Sequence, residues 1–354
     1  MNSHLENDKT TMGTTSRFIC TANHGFAPYA QEELRRKFGA LKSTVLVPGE
    51  VFLATLDFSS EEVTERLTQE LPMFLRHIFP VQVQVGITDK DLGQAMDQLG
   101  SCLKRIDELQ GKIISVQARK ASQEAWPGTS SEFKEAIQFV LQDIVQQFAV
   151  KEAEWVVSVF ITNDSIFAGI SKADHNISDW NGGAVRFQKE EGQISRAKFK
   201  LLEAERVFDI DFRSFRNALD IGAAPGGWTS FLLERGLQVT AVDPAKMHPS
   251  LLDSPQLTYV QKNADSVKFR DHEFDLLVCD MSWSPKLTAK LVTELLYSLV
   301  PGGTAIVTVK LLSKKPLALI RDVMDTFDQA HMQIQRSKQL FHNRDEITLY
   351  MIKY

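Results

Sequence analysis

The sequence predicts an α/β fold, a mostly parallel sheet carrying one antiparallel strand, preceded by a separate α+β region. Three observations carry that expectation. The second half of the 354-residue chain alternates apolar, strand-like runs with amphipathic helical runs. It closes on two extended segments joined by the short polar piece His342-Asn343-Arg344-Asp345. Early in that half, DIGAAPGGWTSFLLERG (Asp220 to Gly236) runs from an apolar strand through a glycine turn into a helix.

The elements follow in order. Residues 1–15 are polar, lack the apolar centre of a signal peptide, and read as a disordered tail. Residues 16–185 form the α+β region. RFICTANHGFAPYAQEELRRKFG is a strand, a tight turn and a helix with Glu33, Arg35 and Arg36 on its polar face. KIISVQARK is a strand, SSEFKEAIQFVLQDIVQQFA a capped amphipathic helix, and EWVVSVFITNDSIFAGIS a hairpin about Asn163-Asp164. The polar, turn-rich stretch from Ala173 to Ile194, with Asn181-Gly182-Gly183, reads as the inter-domain connector.

Residues 186–354 form the second domain. Ser195 is positioned as the N-cap of a helix running through Phe199, Leu201, Leu202, Ala204 and Phe208. Strands are expected at 216–221, 237–242, 257–261, 274–280 and 303–310, with helices at 226–235, 285–299 and 315–329. Extended segments at 332–340 and 346–353 complete a hairpin. A βαβ series that ends this way gives a Rossmann-like sheet with one inserted antiparallel strand.

Composition narrows the class. With 43% hydrophobic and 24% charged residues and no apolar run of membrane-spanning length, the chain reads as an ordinary globular protein of the cytoplasm, without membrane partners. Cys20, Cys102 and Cys279 are odd in number and far apart, which suggests neither a disulfide framework nor a metal site. The net charge is −5; residues 191–354 hold 21 Lys and Arg against 20 Asp and Glu, so the acidic excess lies in residues 1–190. Contact with a nucleic acid would therefore fall to local basic patches.

The glycine turn places a ligand site at the carboxyl edge of the sheet, through Asp220, Gly222, Ala223, Pro225, Gly226, Gly227 and Trp228. These glycines do not give the G-x-G-x-x-G spacing of a dinucleotide site, and no phosphate need be bound. Asp243 closes the next strand about twenty residues on, where a carboxylate accepts ribose hydroxyls. Asp265, after the third strand, is placed to accept from an adenine amino group. S-Adenosylmethionine is the cofactor these positions suit.

Four further residues are expected at the same rim. Asp280 and Lys310 end parallel strands, Glu346 begins the antiparallel one, and Lys200 lies on the preceding helix. Two lysines and two carboxylates beside a methyl donor suit a poor nucleophile such as a ribose hydroxyl, with Lys310 as the general base. Lys286, Lys290, Lys314 and Lys315 would flank the cleft and meet phosphates, and Trp283 would stack on a base. DMSW after the fourth strand lacks the prolines of a base-amino methyltransferase. Cys279 alternates away from Asp280, which removes it as a nucleophile.

In this order and spacing, SRAKFKLLE, DIGAAPGGWTSFLLERG, VCDM, VTVK and NRDEITLYM resemble the motifs of FtsJ-type 2′-O-ribose RNA methyltransferases over about 160 residues. The resemblance implies a catalytic tetrad at Lys200, Asp280, Lys310 and Glu346. It also implies an S-adenosylmethionine site at the Asp220–Gly227 loop, Asp243, Asp265 and Asp280. The N-terminal half resembles the THUMP-containing region of the bacterial 23S rRNA ribose methyltransferases of the M type, through Gly25-Phe26, VQARK and SDWNGG. RNA, 23S rRNA or a ribosomal precursor, is the partner this implies, for a protein acting as a monomer or weak homodimer. A transfer RNA substrate, a base nitrogen as acceptor, and a noncatalytic RNA-binding role in ribosome assembly are the competing readings.

Overall fold

The structure is a computed structural model that describes residues 14–150, 153–188, 191–311, 313 and 315–354. The expected tail lies outside the described residues except for Thr14 and Thr15. The chain forms two compact units, the first ending at Gly183 and the second starting at Ala184.

The first unit holds two sheets. It comprises β1 (Ser16–Ala22), α1 (Ala27–Phe38), β2 (Lys42–Val47), β3 (Val51–Leu56), α2 (Ser60–Gln69), β4 (Leu75–Pro80), β5 (Val83–Gly86), α3 (Leu92–Leu103), β6 (Ile113–Lys120), α4 (Ser130–Leu141), β7 (Gln147–Phe148), β8 (Trp155–Ile161) and β9 (Ser165–Lys172). The sheet orders are β2-β3-β1-β4 and β5-β9-β8-β6-β7. Thr129 and Glu132 form a reciprocal capping box at the start of α4. That helix ends earlier than its sequence suggests. Backbone bonds from Gly111 to Ile144, from Gln146 to Lys112 and from Ala149 to Ile114 draw the following residues into β7, where tertiary pairing overrides helix propensity.

Two other details depart from the sequence reading. Glu33 does not sit idle on a polar helix face; it accepts from the backbone N–H groups of Met73, Phe74 and Leu75 and secures the entry to β4. The start of the expected connector belongs to the first unit. Arg76 donates to the Gly182 carbonyl, Gln117 to Asp179 and Asn181 to Ala118, pinning residues 179–182 to that unit.

The second unit contains α5 (Lys198–Val207), β10 (Asn217–Ile221), α6 (Gly227–Glu234), β11 (Gln238–Val242), α7 (Pro249–Leu252), β12 (Leu257–Val260), β13 (Phe274–Cys279), α8 (Pro285–Leu295), β14 (Leu299–Lys310), α9 (Pro316–Gln329), β15 (Met332–Lys338) and β16 (Glu346–Lys353). Its seven-stranded sheet runs β12-β11-β10-β13-β14-β16-β15. β16 alone runs opposite to the other six strands, lying between β14 and β15. Apolar residues of β10, β11 and β13 pack beneath α5 and α6 with Phe212, Trp228 and Phe231, the two phenylalanine rings meeting edge to face at 4.9 Å. Ser195 is not the helix N-cap. It accepts from the Ala197 N–H in a turn ahead of α5, and Ala197 occupies the cap position without a side-chain bond.

Candidate active site

The strand order reverses at β10, whose neighbours are β11 on one side and β13 on the other. A crevice outside the carboxyl ends of the strands is expected at such a point, and the glycine turn occupies it. Gly222 and Gly226 both adopt positive φ, +75° and +115°, which an L side chain resists. The space beside them belongs to the protein. A Cβ on Gly222 would lie 2.5 Å from Met281 Cγ, and one on Gly226 would strike Leu251 and Met247. These glycines therefore let strand, turn and loop close on one another and leave the turn's backbone at the rim.

Asp243 is fixed at the end of β11 by the N–H groups of Ala224 (3.1 Å) and Ala245 (2.7 Å). Its half-buried carboxylate keeps acceptor capacity for hydroxyl groups, so donor set and position fit the ribose of S-adenosylmethionine. Asp265 stands exposed in the short turn Ala264–Ser266 after β12. Pro225 is exposed and Ala223 buried in the turn itself.

Two candidates serve the turn from behind. Trp228 is buried in the core, and its indole N–H donates to the Ala197 carbonyl at 2.9 Å, so its side chain is committed to packing. Asp220 is 1% exposed and accepts from Thr229 Oγ1 at 2.6 Å. Burial pushes its carboxyl up to about 7; the Thr229 bond opposes this, and the charges of Asp280 and Asp243 add to it.

The four rim residues come together from four elements. Lys310 at the end of β14 is the register partner of Glu346 at the start of β16, which follows from the antiparallel insertion. Lys200 on α5 donates to both oxygens of Asp280, at 2.9 and 2.8 Å, and lies 2.5 Å from Glu346 Oε1. The other Glu346 oxygen, Oε2, pairs with Lys310. The result is a continuous chain, Asp280–Lys200–Glu346–Lys310. Burial pulls the Lys200 ammonium down, but the Asp280 and Glu346 carboxylates outweigh it and hold its proton above the ordinary lysine range. Burial likewise pushes Glu346 up, and Lys200 and Lys310 together bring it below the usual carboxylate range. Both groups stay charged across neutral pH.

Two residues that the sequence reading missed complete the network. Thr308 Oγ1 donates to Asp280 Oδ1 at 2.8 Å. Its signal was present, because residues two apart on a strand share a face and Thr308 precedes Lys310 by two. Asn343 Nδ2 donates to Glu346 Oε1 at 3.2 Å, while its carbonyl oxygen accepts from Thr348 Oγ1 and the Leu340 N–H. A turn asparagine gives no such signal.

A cavity of about 480 Å³ opens beside the chain of ion pairs, lined by Phe199, Lys200, Lys310, Phe341, His342 and Arg344 among others. Two of the lysines expected to flank the cleft sit in exposed ion pairs: Lys286 pairs with Asp322 at 2.9 Å, and Lys290 approaches Glu294 at 3.8 Å. Lys315 is exposed, and Lys314 lies outside the described residues. Trp283 is 41% exposed in the loop after Asp280. Cys279 is fully buried and burial pushes its thiol up, as an inert strand residue should behave. Among the described residues there is no cluster suited to a metal ion, and no helix is long and apolar enough to cross a membrane.

The FtsJ-like methyltransferase family matches residues 193–340, which include Lys200, Asp280 and Lys310 and stop short of Glu346. Fold and sequence together define the class: the second unit is an S-adenosylmethionine-dependent methyltransferase domain. The chain is 36% identical over 205 residues to the ribosomal RNA large subunit methyltransferase M of Psychromonas ingrahamii, covering 54% of this chain and 55% of that protein. A longer alignment, 30% identical, joins it to the protein of the same name from Serratia proteamaculans over 81% of this chain and 82% of the relative. The Pseudomonas entomophila protein of that name aligns at 28% identity over 81% and 83%. The chain belongs to the ribosomal RNA large subunit methyltransferase M family, and it spans about half the length of the Psychromonas ingrahamii relative.

Proposed function

We propose that this chain transfers a methyl group from S-adenosylmethionine to a ribose 2′-oxygen of large-subunit (23S) ribosomal RNA. The reading rests on the unbroken ion-pair chain Asp280–Lys200–Glu346–Lys310 at the carboxyl edge, beside the glycine turn. The large-subunit substrate rests on the names of the relatives.

The Gly222–Gly227 backbone, Asp243 and Asp265 would hold the cofactor, which when bound supplies an electrophilic sulfonium methyl. Lys310 is the general base. It has one carboxylate partner, whereas Lys200 is spread over two. Once its ammonium has released a proton to solvent, the Lys310 amine takes the proton of the 2′-hydroxyl as the oxygen becomes a nucleophile. Lys200 remains an ammonium and keeps positive potential at the developing alkoxide. Asp280, held by Thr308, and Glu346, held by Asn343, fix the two lysines in place. Residues 16–185, nearly all of them in the first unit, would serve as a THUMP-like RNA-holding region, and the protein would work in the cytoplasm as a monomer or weak homodimer.

Lys310→Ala is expected to keep S-adenosylmethionine binding and to lose methyl transfer by at least about 100-fold, the lower end of general-base contributions. The assay is nucleotide-resolution mapping of alkali-resistant positions in large-subunit RNA with and without the protein. A methylated 2′-oxygen cannot attack the adjacent phosphate. A methyl group on a base, or an unchanged Lys310→Ala rate, refutes the assignment.

A further inference from the structure

The cavity beside the tetrad has one wall that the proposed methyl transfer leaves without a task. Phe199, Phe187, Phe341 and His342 form an aromatic cluster there. His342 lies 5.3 Å from Phe199, 5.4 Å from Phe187 in a stacked arrangement, and 5.2 Å from Phe341 edge-on. Phe199, Phe341 and His342 line the cavity themselves.

His342 is held in place with more care than packing requires. Glu203, buried, accepts from His342 Nδ1 at 2.7 Å and from the backbone N–H groups of His342 (2.9 Å) and Phe341 (2.7 Å). These three donors come from residues nearly 140 positions away in sequence, so the carboxylate ties the turn before β16 to α5. A carboxylate acceptor on Nδ1 fixes the tautomer, leaving Nε2 as the ring's other polar atom, with no protein partner among the described residues. Glu203 lies one helical turn beyond Lys200 on α5. One helix therefore supplies a member of the ion-pair chain and the anchor of the aromatic wall.

The rim carries unpaired charge. Arg196 and Arg344 both line the cavity, are exposed, and make no side-chain ion pair among the described residues, in contrast to Lys286 and Lys290. The volume of about 480 Å³ falls within the roughly 300–1,000 Å³ range of small-molecule pockets.

We propose that this cavity receives the base of the acceptor ribonucleotide, lodged against the aromatic shelf made by the mutually tilted rings of Phe199, His342 and Phe341, with Arg196 and Arg344 on the flanking phosphates. The inference rests on the ribose-methylation reading, since it is the 2′-hydroxyl of that nucleotide which must reach Lys310. A base turned out of its neighbours' stack loses favourable contacts, and an aromatic platform restores them with little regard to sequence. His342 and Glu203 are positioning residues here. The ring meets the base, Nε2 is its single directional hydrogen-bonding atom, and Glu203 keeps the ring from turning.

The test uses the full chain and large-subunit RNA purified from cells lacking it. His342→Ala is expected to raise the KM for RNA at least tenfold, with kcat changed less than threefold and S-adenosylmethionine affinity by calorimetry unchanged, which also reports an intact fold. His342→Phe, which keeps the stack, should return the KM to within about threefold of wild type. Arg344→Ala, at an exposed side chain without an ion pair among the described residues, should lower the slope of log affinity against log salt by about one. A His342→Ala KM within twofold of wild type, or a salt slope unmoved in Arg344→Ala and Arg196→Ala, overturns the proposal. Nucleoside analysis of the wild-type product separates the two readings. A methyl on a base nitrogen defeats ribose methylation while the shelf is still judged by KM. A 2′-O-methyl product with unaltered KM in the variants defeats the shelf alone.

Discussion

Replacing Asp220 by Asn should make the protein more stable, and by an amount that grows with pH. The Asp220 carboxyl lies under the glycine turn, 1% exposed, with burial, Asp280 and Asp243 all favouring its neutral form and only the Thr229 hydroxyl favouring the charged one. Its folded value of about 7 stands well above the ordinary 3.8. Between those two values the folded chain binds more protons than the unfolded one, so this group's contribution to stability falls as pH rises, levelling off above about 7. At about 1.4 kcal/mol per pH unit, the raised value costs roughly 4 kcal/mol at pH 8 and about 1.5 kcal/mol at pH 5. Asn cannot ionise, yet its carbonyl oxygen can still accept from Thr229. The stability difference between Asp220→Asn and wild type should therefore shift in favour of the variant by about 2.5 kcal/mol between pH 5 and pH 8. Urea unfolding of both proteins at the two pH values, without cofactor, measures it. Any constant effect of the substitution cancels in the difference. A stability gap that stays the same at both pH values would show that Asp220 ionises normally and refute the reasoning.

Two further outcomes follow from the same geometry. Gly226→Ala must adopt φ +115° and meets Leu251 and Met247, so strain of ~1–2 kcal/mol and overpacking of ~1–3 kcal/mol should lower the urea midpoint by an equivalent of roughly 2–5 kcal/mol. An unchanged midpoint would mean that the turn relaxes freely. Thr308→Val removes a hydrogen bond to a partly buried carboxylate, of the class worth about 1.5–3 kcal/mol, and should lower kcat at least about tenfold with S-adenosylmethionine affinity preserved. A kcat within twofold of wild type would show that Lys200 alone orients Asp280.

The sheet of the second unit was legible because its signals are local. Strand runs at 257–261 and 274–280 differ from β12 and β13 by one residue at most, and Glu346 opens the last strand as expected. The edge at which Asp280, Lys310 and Glu346 gather follows from strand direction alone. Side-chain commitments were less legible. Trp228 looked like part of a ligand loop because it follows the glycines, but its orientation depends on a carbonyl 31 residues earlier. Lys286 looked free because Asp322 lies on a different helix. Glu203 carries no local mark at all, since its three donors belong to a turn nearly 140 residues on. Alternation and capping are written in neighbouring residues; partners supplied by packing are not.

The ion-pair chain at the rim is hard to explain as a device for stability. Lys200 and Glu346 are nearly buried, at 14% and 3% side-chain exposure, and removing such charges from water costs several kcal/mol per ion before any pairing is counted. Buried pairs of this kind are often no better for stability than apolar residues of the same volume. Four separate elements nevertheless converge to build this one, and Thr308 and Asn343 add hydrogen bonds that restrict its carboxylates further. The arrangement is also uneven. Lys200 is held by three carboxylate oxygens and Lys310 by one, so the two ammonium groups are prepared for different work. An ion cluster kept only for cohesion would gain nothing from that asymmetry. The proposed transfer, with Lys200 kept charged and Lys310 as the base, makes use of it.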